Sequence, residues 1–241
     1  VSYAIAPGGL AAVLAHPDDE SFACAGALAL AHEAGLTTRL LVATRGEAGV
    51  ADGDPDPSLG GVREAELIAA AKILGLDEVS ILEGYPDGRV ADEPFDRLTS
   101  EISAWLAGRR PEAVITFGPH GVTGHPDHVA VGSATRWAVE RLAESGIAPN
   151  AVYVIVPVFN PGSQLYDLSA EEQSATHRIE ITAVAGRKLA ALEAHASQAD
   201  TAEAIAALRG AIASGGPIHE GYHRVRPLVP TPHPAFDRAL L

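Results

Sequence analysis

Short apolar runs alternate with longer stretches of helical spacing over the first two thirds of the chain. Residues 10–15 form a compact apolar run, too short for a helix and ended by His16-Pro17, which predicts a buried strand. From 20 to 33 Ala and Leu dominate, Gly26 is the one breaker and Gly35 follows as a C-cap, so a helix is expected there. The alternation continues with strands at 39–44, 79–82, 113–117 and 152–156, and helices at 63–74, 95–108 and 126–145. Residues 45–61, rich in Gly, Asp and Pro, read as a long loop, and a Gly/His/Pro loop precedes the helix at 126.

Strands and helices alternating in this way predict a doubly wound α/β fold, a mainly parallel sheet with helices on both faces, in the common strand order 3-2-1-4-5. Beyond 157 the pattern loosens into a polar stretch, a strand at 177–182, helices at 184–195 and 201–214, and a Pro-rich tail. We expect a single domain over 1–241, with its core at about 10–156 and a small C-terminal extension at about 157–241. No internal repeat or low-complexity block interrupts it.

Composition narrows the functional classes. The chain has 241 residues, 47% of them hydrophobic, enough for one sizeable core. Its 31 acidic residues against 17 basic ones give a net charge of −14, which repels phosphate backbones and argues against a nucleic-acid partner. The one cysteine, Cys24, falls inside a predicted apolar helix. It forms no intrachain disulfide and no Cys-rich cage, so a transition metal here must be held by His and carboxylate. No apolar run approaches the ~20 residues that span a bilayer, and no basic, then apolar leader opens the chain. These features predict a cytoplasmic protein acting on a small molecule without a membrane partner, and they leave a homo-oligomer open.

Two histidine-carboxylate clusters carry the chemistry. His16-Pro17-Asp18-Asp19-Glu20 directly follows the first strand, and His125-Pro126-Asp127-His128 joins the loop after the fourth strand to the next helix. Strands one and four are neighbours in the expected order, and ligands of open α/β sheets bind at their carboxyl ends where the order reverses. Both clusters are therefore expected in one crevice. They supply three protein ligands for zinc with a fourth position left to water. Pro126 suits a first helical turn, which places His125 near the N-cap and His128 on the same face.

Ala15-His16-Pro17-Asp18-Asp19-Glu20 and Gly124-His125-Pro126-Asp127-His128 together resemble the signature of the LmbE-like, PIG-L de-N-acetylase family, zinc deacetylases of N-acetylglucosamine-containing molecules. The resemblance extends to Thr44-Arg45-Gly46-Glu47, Arg63-Glu64 and His195-Ala196-Ser197-Gln198, and so covers roughly residues 10–200. It implies that His16, Asp19 and His128 hold one zinc ion, with iron(II) as an open substitute, and that Asp18 is general base to the metal-activated water. It places His125 before the reacting carbonyl. Oriented by Asp127, that imidazole would stabilise the developing negative charge or assist departure of the amine, although a helix N-terminus opposes its protonation. Arg63 resembles the family's substrate-contacting arginine, and Arg45 and Glu47 are expected to line the pocket. Further substrate-reading residues are expected within 45–61, 84–93 and 157–176.

Ordinary structural roles compete with these. Asp18 and Asp19 stand where helix N-caps stand, and Glu20 suits a first helical turn. His120 reads as a solvated loop residue, and His195 and Gln198 divide evenly between a site and a helix end. His32, His177, His219, His223 and His233 read as surface or packing residues. Three rival functions use the same clusters: an amidase that releases a larger acyl group from a glucosaminyl amine, a non-catalytic sugar-binding module, and a metal phosphoesterase. Against the last two, the catalytic positions are filled, no G-x-G-x-x-G follows the first strand, and the clusters are poor in the bridging carboxylates of two-metal sites.

Overall fold

The computed structural model describes residues 8–49, 58–157 and 167–226. Residues 50–57 of the expected loop, residues 158–166 of the expected substrate-reading stretch, and the Pro-rich tail from 227 with His233 lie outside the described residues.

Five parallel strands form the body of a seven-stranded sheet: β1 Leu10–Leu14, β2 Thr38–Val42, β3 Glu78–Ile81, β4 Ala113–Thr116 and β5 Ala151–Val156. Their order is 3-2-1-4-5, as the alternation of elements predicts. In the middle of the sheet Leu10 of β1 lies opposite Thr38 on one side and Ala113 on the other. Every residue of β1 and β5 is buried, which a parallel strand covered on both faces requires and which explains their uninterrupted apolar sequences.

The helices are α1 Asp19–Ala23, α2 Ala25–Glu33, α3 Leu59–Leu74, α4 Phe95–Arg109, α5 Pro126–Glu144, α6 Ala170–Gln173, α7 Ala185–Ala194 and α8 Thr201–Ser214. Right-handed crossovers place α2 and α3 on one face, and the reversal of winding after β3 places α4 and α5 on the other. The packing agrees: α4 lies along α5, while α2 and α3 pack with α7. The carboxyl ends of β1 and β4 thus sit side by side where the winding reverses. Among the described residues no helix is long and apolar enough to cross a membrane.

The structure departs from expectation in three places. The helix expected over 20–33 is broken at Cys24, whose φ of −144° lies outside the helical range, so this cysteine is a junction between α1 and α2. A distant carboxylate accounts for the restart, since Glu220 accepts the Gly26 and Ala27 N–H groups at 2.9 Å each. Glu220 itself belongs to β7 His219–Arg226, a strand in the stretch expected to run on into the tail. β7 lies antiparallel between β5 and β6 His177–Glu180 and is held by backbone bonds on both edges, which do not depend on apolar alternation. Third, α6 is a single helical turn with a complete capping box between Ser169 and Glu172 in the stretch expected to be irregular. Residues 177–226 extend the main sheet, and Ile179, Ile181 and Tyr222 join its core.

The approach of α5 to β4 sets the position of the second cluster. A Cβ on Gly132 would lie 2.6 Å from the Phe117 carbonyl oxygen, so only glycine permits this contact. Gly132→Val should cost about 1–3 kcal/mol by overpacking, which lowers the melting temperature by several degrees at this chain length. Differential scanning calorimetry checks it.

Candidate metal centre

At the end of β1 the chain turns sharply, and the turn is fixed by its own carboxylate. Asp19 Oδ2 accepts the N–H groups of Ala15 at 3.1 Å and His16 at 2.7 Å. Asp18 has φ 108°, a backbone conformation that costs energy in a residue with a Cβ and needs outside support. Glu20 accepts the Asp18 N–H at 3.1 Å, and Arg63 Nη2 donates to Asp18 Oδ2 at 2.7 Å. Asp18 occupies the N-cap position of α1 but makes no capping bond with its side chain. Capping therefore does not explain this aspartate.

The second cluster opens α5. His125 is the N-cap, with Nδ1 accepting the Asp127 N–H at 3.1 Å, and Pro126 occupies the first turn. The Asp127 carboxylate points elsewhere. Its Oδ1 accepts the Val90 N–H at 3.0 Å, and its Oδ2 accepts the Gly88 N–H at 2.8 Å and lies 3.2 Å from His16 Nε2. The orienting partner of His125 is thus the Asp127 backbone, while the Asp127 side chain orients His16. His128 stacks on Phe117, with centroids 4.1 Å apart, and its Nδ1 lies 3.0 Å from the Gly121 carbonyl oxygen.

These outer bonds determine what the two imidazoles offer inward. His16 Nε2–H is directed to Asp127 and to Asp87 Oδ1 at 3.0 Å, so Nδ1 carries its lone pair toward the cluster. His128 Nδ1–H is directed to Gly121, so Nε2 does the same. Acceptors that fix the outer nitrogen of a ligand histidine are a regular feature of metal sites. The inward atoms converge: His16 Nδ1 to His128 Nε2 is 3.2 Å, His128 Nε2 to Asp19 Oδ1 3.3 Å, and His16 Nδ1 to Asp19 Oδ2 3.7 Å. Ligands about 2.0–2.1 Å from one zinc ion at tetrahedral angles stand about 3.3 Å apart, so this donor set fits the ion. A second group of possible ligands, His16, His125 and Asp127, shares His16 with the first.

The electrostatics point the same way. Asp19, Asp87 and Asp127 crowd around His16, and Asp18 lies near Asp19, all buried or partly buried. Burial alone would lower the His16 pKa, but Asp127, Asp87 and Asp19 outweigh it and lift the imidazole to about 10. The same pairings hold Asp87 and Asp127 below the usual carboxylate range against the opposing effect of burial, and His128 and His16 do so for Asp19. Asp18 is pushed well up by burial and by the Asp19 charge, with Arg63 opposing. Burial, His16 and His128 push His125 down. Without an ion, a proton on His16 supplies the positive charge that the carboxylates demand. Binding of a divalent ion must displace that proton, so affinity should rise with pH toward 10 and each zinc bound near pH 7.5 should release at least one proton. Titration calorimetry in buffers of different ionisation enthalpy measures that number.

The other expected site residues are distributed over the rim and the interior. Arg63 is only 4% exposed, and besides Asp18 its guanidinium donates to the carbonyl oxygens of Pro17 at 2.5 Å and Gly46 at 2.9 Å. Arg45 stands on the rim between Glu64 and Glu83. Glu47 is exposed and accepts the Asp87 N–H at 2.9 Å. His120 is turned away, with Nδ1 2.7 Å from the Asp167 carbonyl oxygen. His195 is fully buried behind α1, its Nε2 2.8 Å from Glu20, and Gln198 bonds its neighbour Ser197. Sequence reasoning missed Asp87, which lies in the Gly84-Tyr85-Pro86-Asp87-Gly88 turn. The Pro-Asp-Gly signature of a tight turn was the available signal.

The chain is similar to known proteins in sequence and in fold. Residues 11–139 match the family model PIG-L, described as GlcNAc-PI de-N-acetylase. A 1D-myo-inositol 2-acetamido-2-deoxy-alpha-D-glucopyranoside deacetylase of Nakamurella multipartita is 33% identical over 94% of this chain and 92% of its own. A probable N-acetyl-alpha-D-glucosaminyl L-malate deacetylase 2 of Bacillus anthracis is 32% identical, covering 77% of this chain and 79% of its own. The N,N'-diacetylchitobiose deacetylase of Pyrococcus horikoshii superposes with a TM-score of 0.71 over 95% of this chain and 88% of its own, at 20% identity, and shares the fold. With both histidine-carboxylate clusters inside the matched region and a relative aligned along nearly its full length, the chain belongs to the PIG-L, GlcNAc-PI de-N-acetylase family.

Proposed function

We propose that this chain removes the N-acetyl group from an N-acetylglucosaminyl conjugate, releasing acetate and a free amine, with one zinc ion held by His16, Asp19 and His128. The convergence of three inward-facing donor atoms, with the buried Asp18 carboxylate near the Asp19 ligand, carries the reading. The relatives support the substrate class, since their names describe deacetylases of glucosaminyl-inositol and glucosaminyl-malate conjugates. A bound zinc ion supplies a water of pKa about 7 and polarises the amide carbonyl.

The protein groups around it divide the remaining work. Arg63 holds Asp18 through Oδ2, which leaves Oδ1 to take the proton from the attacking water and return it to the departing nitrogen. His125 accepts a backbone N–H through Nδ1, so its Nε2 carries the hydrogen. A lowered pKa keeps the ring neutral, and Nε2–H then stabilises the oxyanion as a neutral donor. Arg45 and Glu47, on the loop after β2, are the residues we assign to contact the sugar, with Asp87 of the facing turn holding His16. The single buried, unpaired Cys24 suits a cytoplasmic site of action.

Acetate release from a panel of N-acetylglucosaminyl conjugates tests the reading. Chelation should abolish turnover, and one equivalent of zinc should restore it. Turnover indifferent to chelator would overturn the metal role, and release of a larger acyl group instead of acetate would overturn the deacetylase assignment in favour of an amidase.

A further inference from the structure

Glu172 lies in the part of the chain where the sequence offers no chemical signature, yet its carboxylate is fully buried. Among the described residues no arginine or lysine pairs with it. Its oxygens are satisfied by neutral donors: the Val122 N–H at 2.9 Å on Oε1, and on Oε2 the His120 N–H at 3.2 Å, the Ser169 N–H at 3.0 Å and the Ser169 hydroxyl at 2.6 Å. Two of those donors come from the loop between β4 and α5, one on each side of Gly121.

That loop holds an unfavourable shape. Val122 has φ 64°, a genuine outlier for a β-branched residue, and it persists only where the surroundings enforce it. Gly121 has φ 65°, and a Cβ there would lie 2.7 Å from His128 Cβ. The effect of the bend is to aim the Gly121 carbonyl at His128 Nδ1, 3.0 Å away, and so to turn the Nε2 lone pair inward. Thr123 Oγ1, 3.4 Å from the same nitrogen, is a poorer partner that would compete if Gly121 turned away.

We propose that Glu172 is a positioning residue of the metal centre: by clamping the peptides on both sides of Gly121 it fixes the tautomer and aim of His128, and thereby the affinity for zinc. The inference rests on the metal reading above. It also makes α6, from the C-terminal extension, a working part of the site.

E172Q tests it. The amide matches the carboxylate in size but presents an NH2 group to N–H donors, so one side of the clamp must open. Zinc affinity is read by competition with a chromophoric chelator, with thermal melts recorded in parallel. The dissociation constant should rise about 10-fold or more, as when outer partners of metal ligands are removed. At saturating zinc, kcat should stay within about threefold of the parent. S169A, which removes the hydroxyl donor to Glu172 together with the N-cap acceptor of the Glu172 N–H but leaves the carboxylate on the 120–122 loop, should shift affinity in the same direction by less and serves if E172Q does not fold.

E220Q is the control, because Glu220 is another buried carboxylate, one that caps α2. It should lower the melting temperature and leave zinc affinity alone. A folded E172Q that binds zinc as tightly as the parent, or an equal loss of affinity in E220Q, would overturn the inference. A parent protein that binds no zinc would instead overturn the functional reading on which it stands.

Discussion

Asp18→Asn should retain one zinc per chain and lose about 10²–10⁴-fold in kcat, the range that general-base catalysis supplies. The substitution is informative because it changes little else. Asn is among the few residues that tolerate positive φ, so it can follow the backbone at 108°. Its carbonyl oxygen can still accept from Arg63. What it cannot do is take a proton from water. KM should therefore move far less than kcat, and metal content by plasma emission should be unchanged. Near-normal turnover in a zinc-loaded Asn variant would remove Asp18 from the mechanism.

His128→Phe should abolish stoichiometric zinc binding and reduce activity to background. Phenylalanine preserves the planar stack on Phe117 and the bulk beside α5, so packing changes little. The lost Gly121 contact costs about 1 kcal/mol. The ligand is lost outright, however, and zinc would face two protein donors in place of three. Asp127→Asn provides the graded comparison. It leaves all three ligands and weakens the partner of His16, so zinc affinity should fall about 10–100-fold and activity should recover at high zinc. Dialysis against graded free zinc, followed by metal analysis, ranks the two variants. A His128→Phe protein that keeps one tightly bound zinc would contradict the ligand set.

How much of this was legible in the sequence depends on how local each determinant is. The order of β1 to β5 follows from apolar runs separated by helical spacing, and buried parallel strands leave that mark in consecutive residues. That the two clusters meet was legible for a related reason, because each is contiguous and the strand order brings them to adjacent strand ends, whereas the choice of His16, Asp19 and His128 among their residues came from the family resemblance.

The misses have distant causes. The break at Cys24 is set by Glu220, almost two hundred residues on, and no window around Cys24 contains it. β7 reads His219-Glu220-Gly221-Tyr222-His223, without alternation, because two flanking strands hold its backbone. Asp87 reaches His16 only after a loop folds over the crevice. Asp127 was expected to orient His125, yet a side chain at the second position of a helix is free to turn toward another strand end, where His16 and two amides draw it. The pairing of Arg63 with Asp18 was likewise out of reach of a local reading, since the two lie 45 residues apart. The capping box at Ser169 and Glu172 was local and readable, and its second role toward residues 120–122 was not.

The account is tested most directly by anomalous diffraction at the zinc edge from crystals of the zinc-loaded protein. It predicts a single peak bonded to His16 Nδ1, His128 Nε2 and Asp19, with Asp18 beside it and its carboxylate on Arg63. A peak placed elsewhere, on the His125 and Asp127 side of His16 for example, or no peak at all in the crevice, would contradict it.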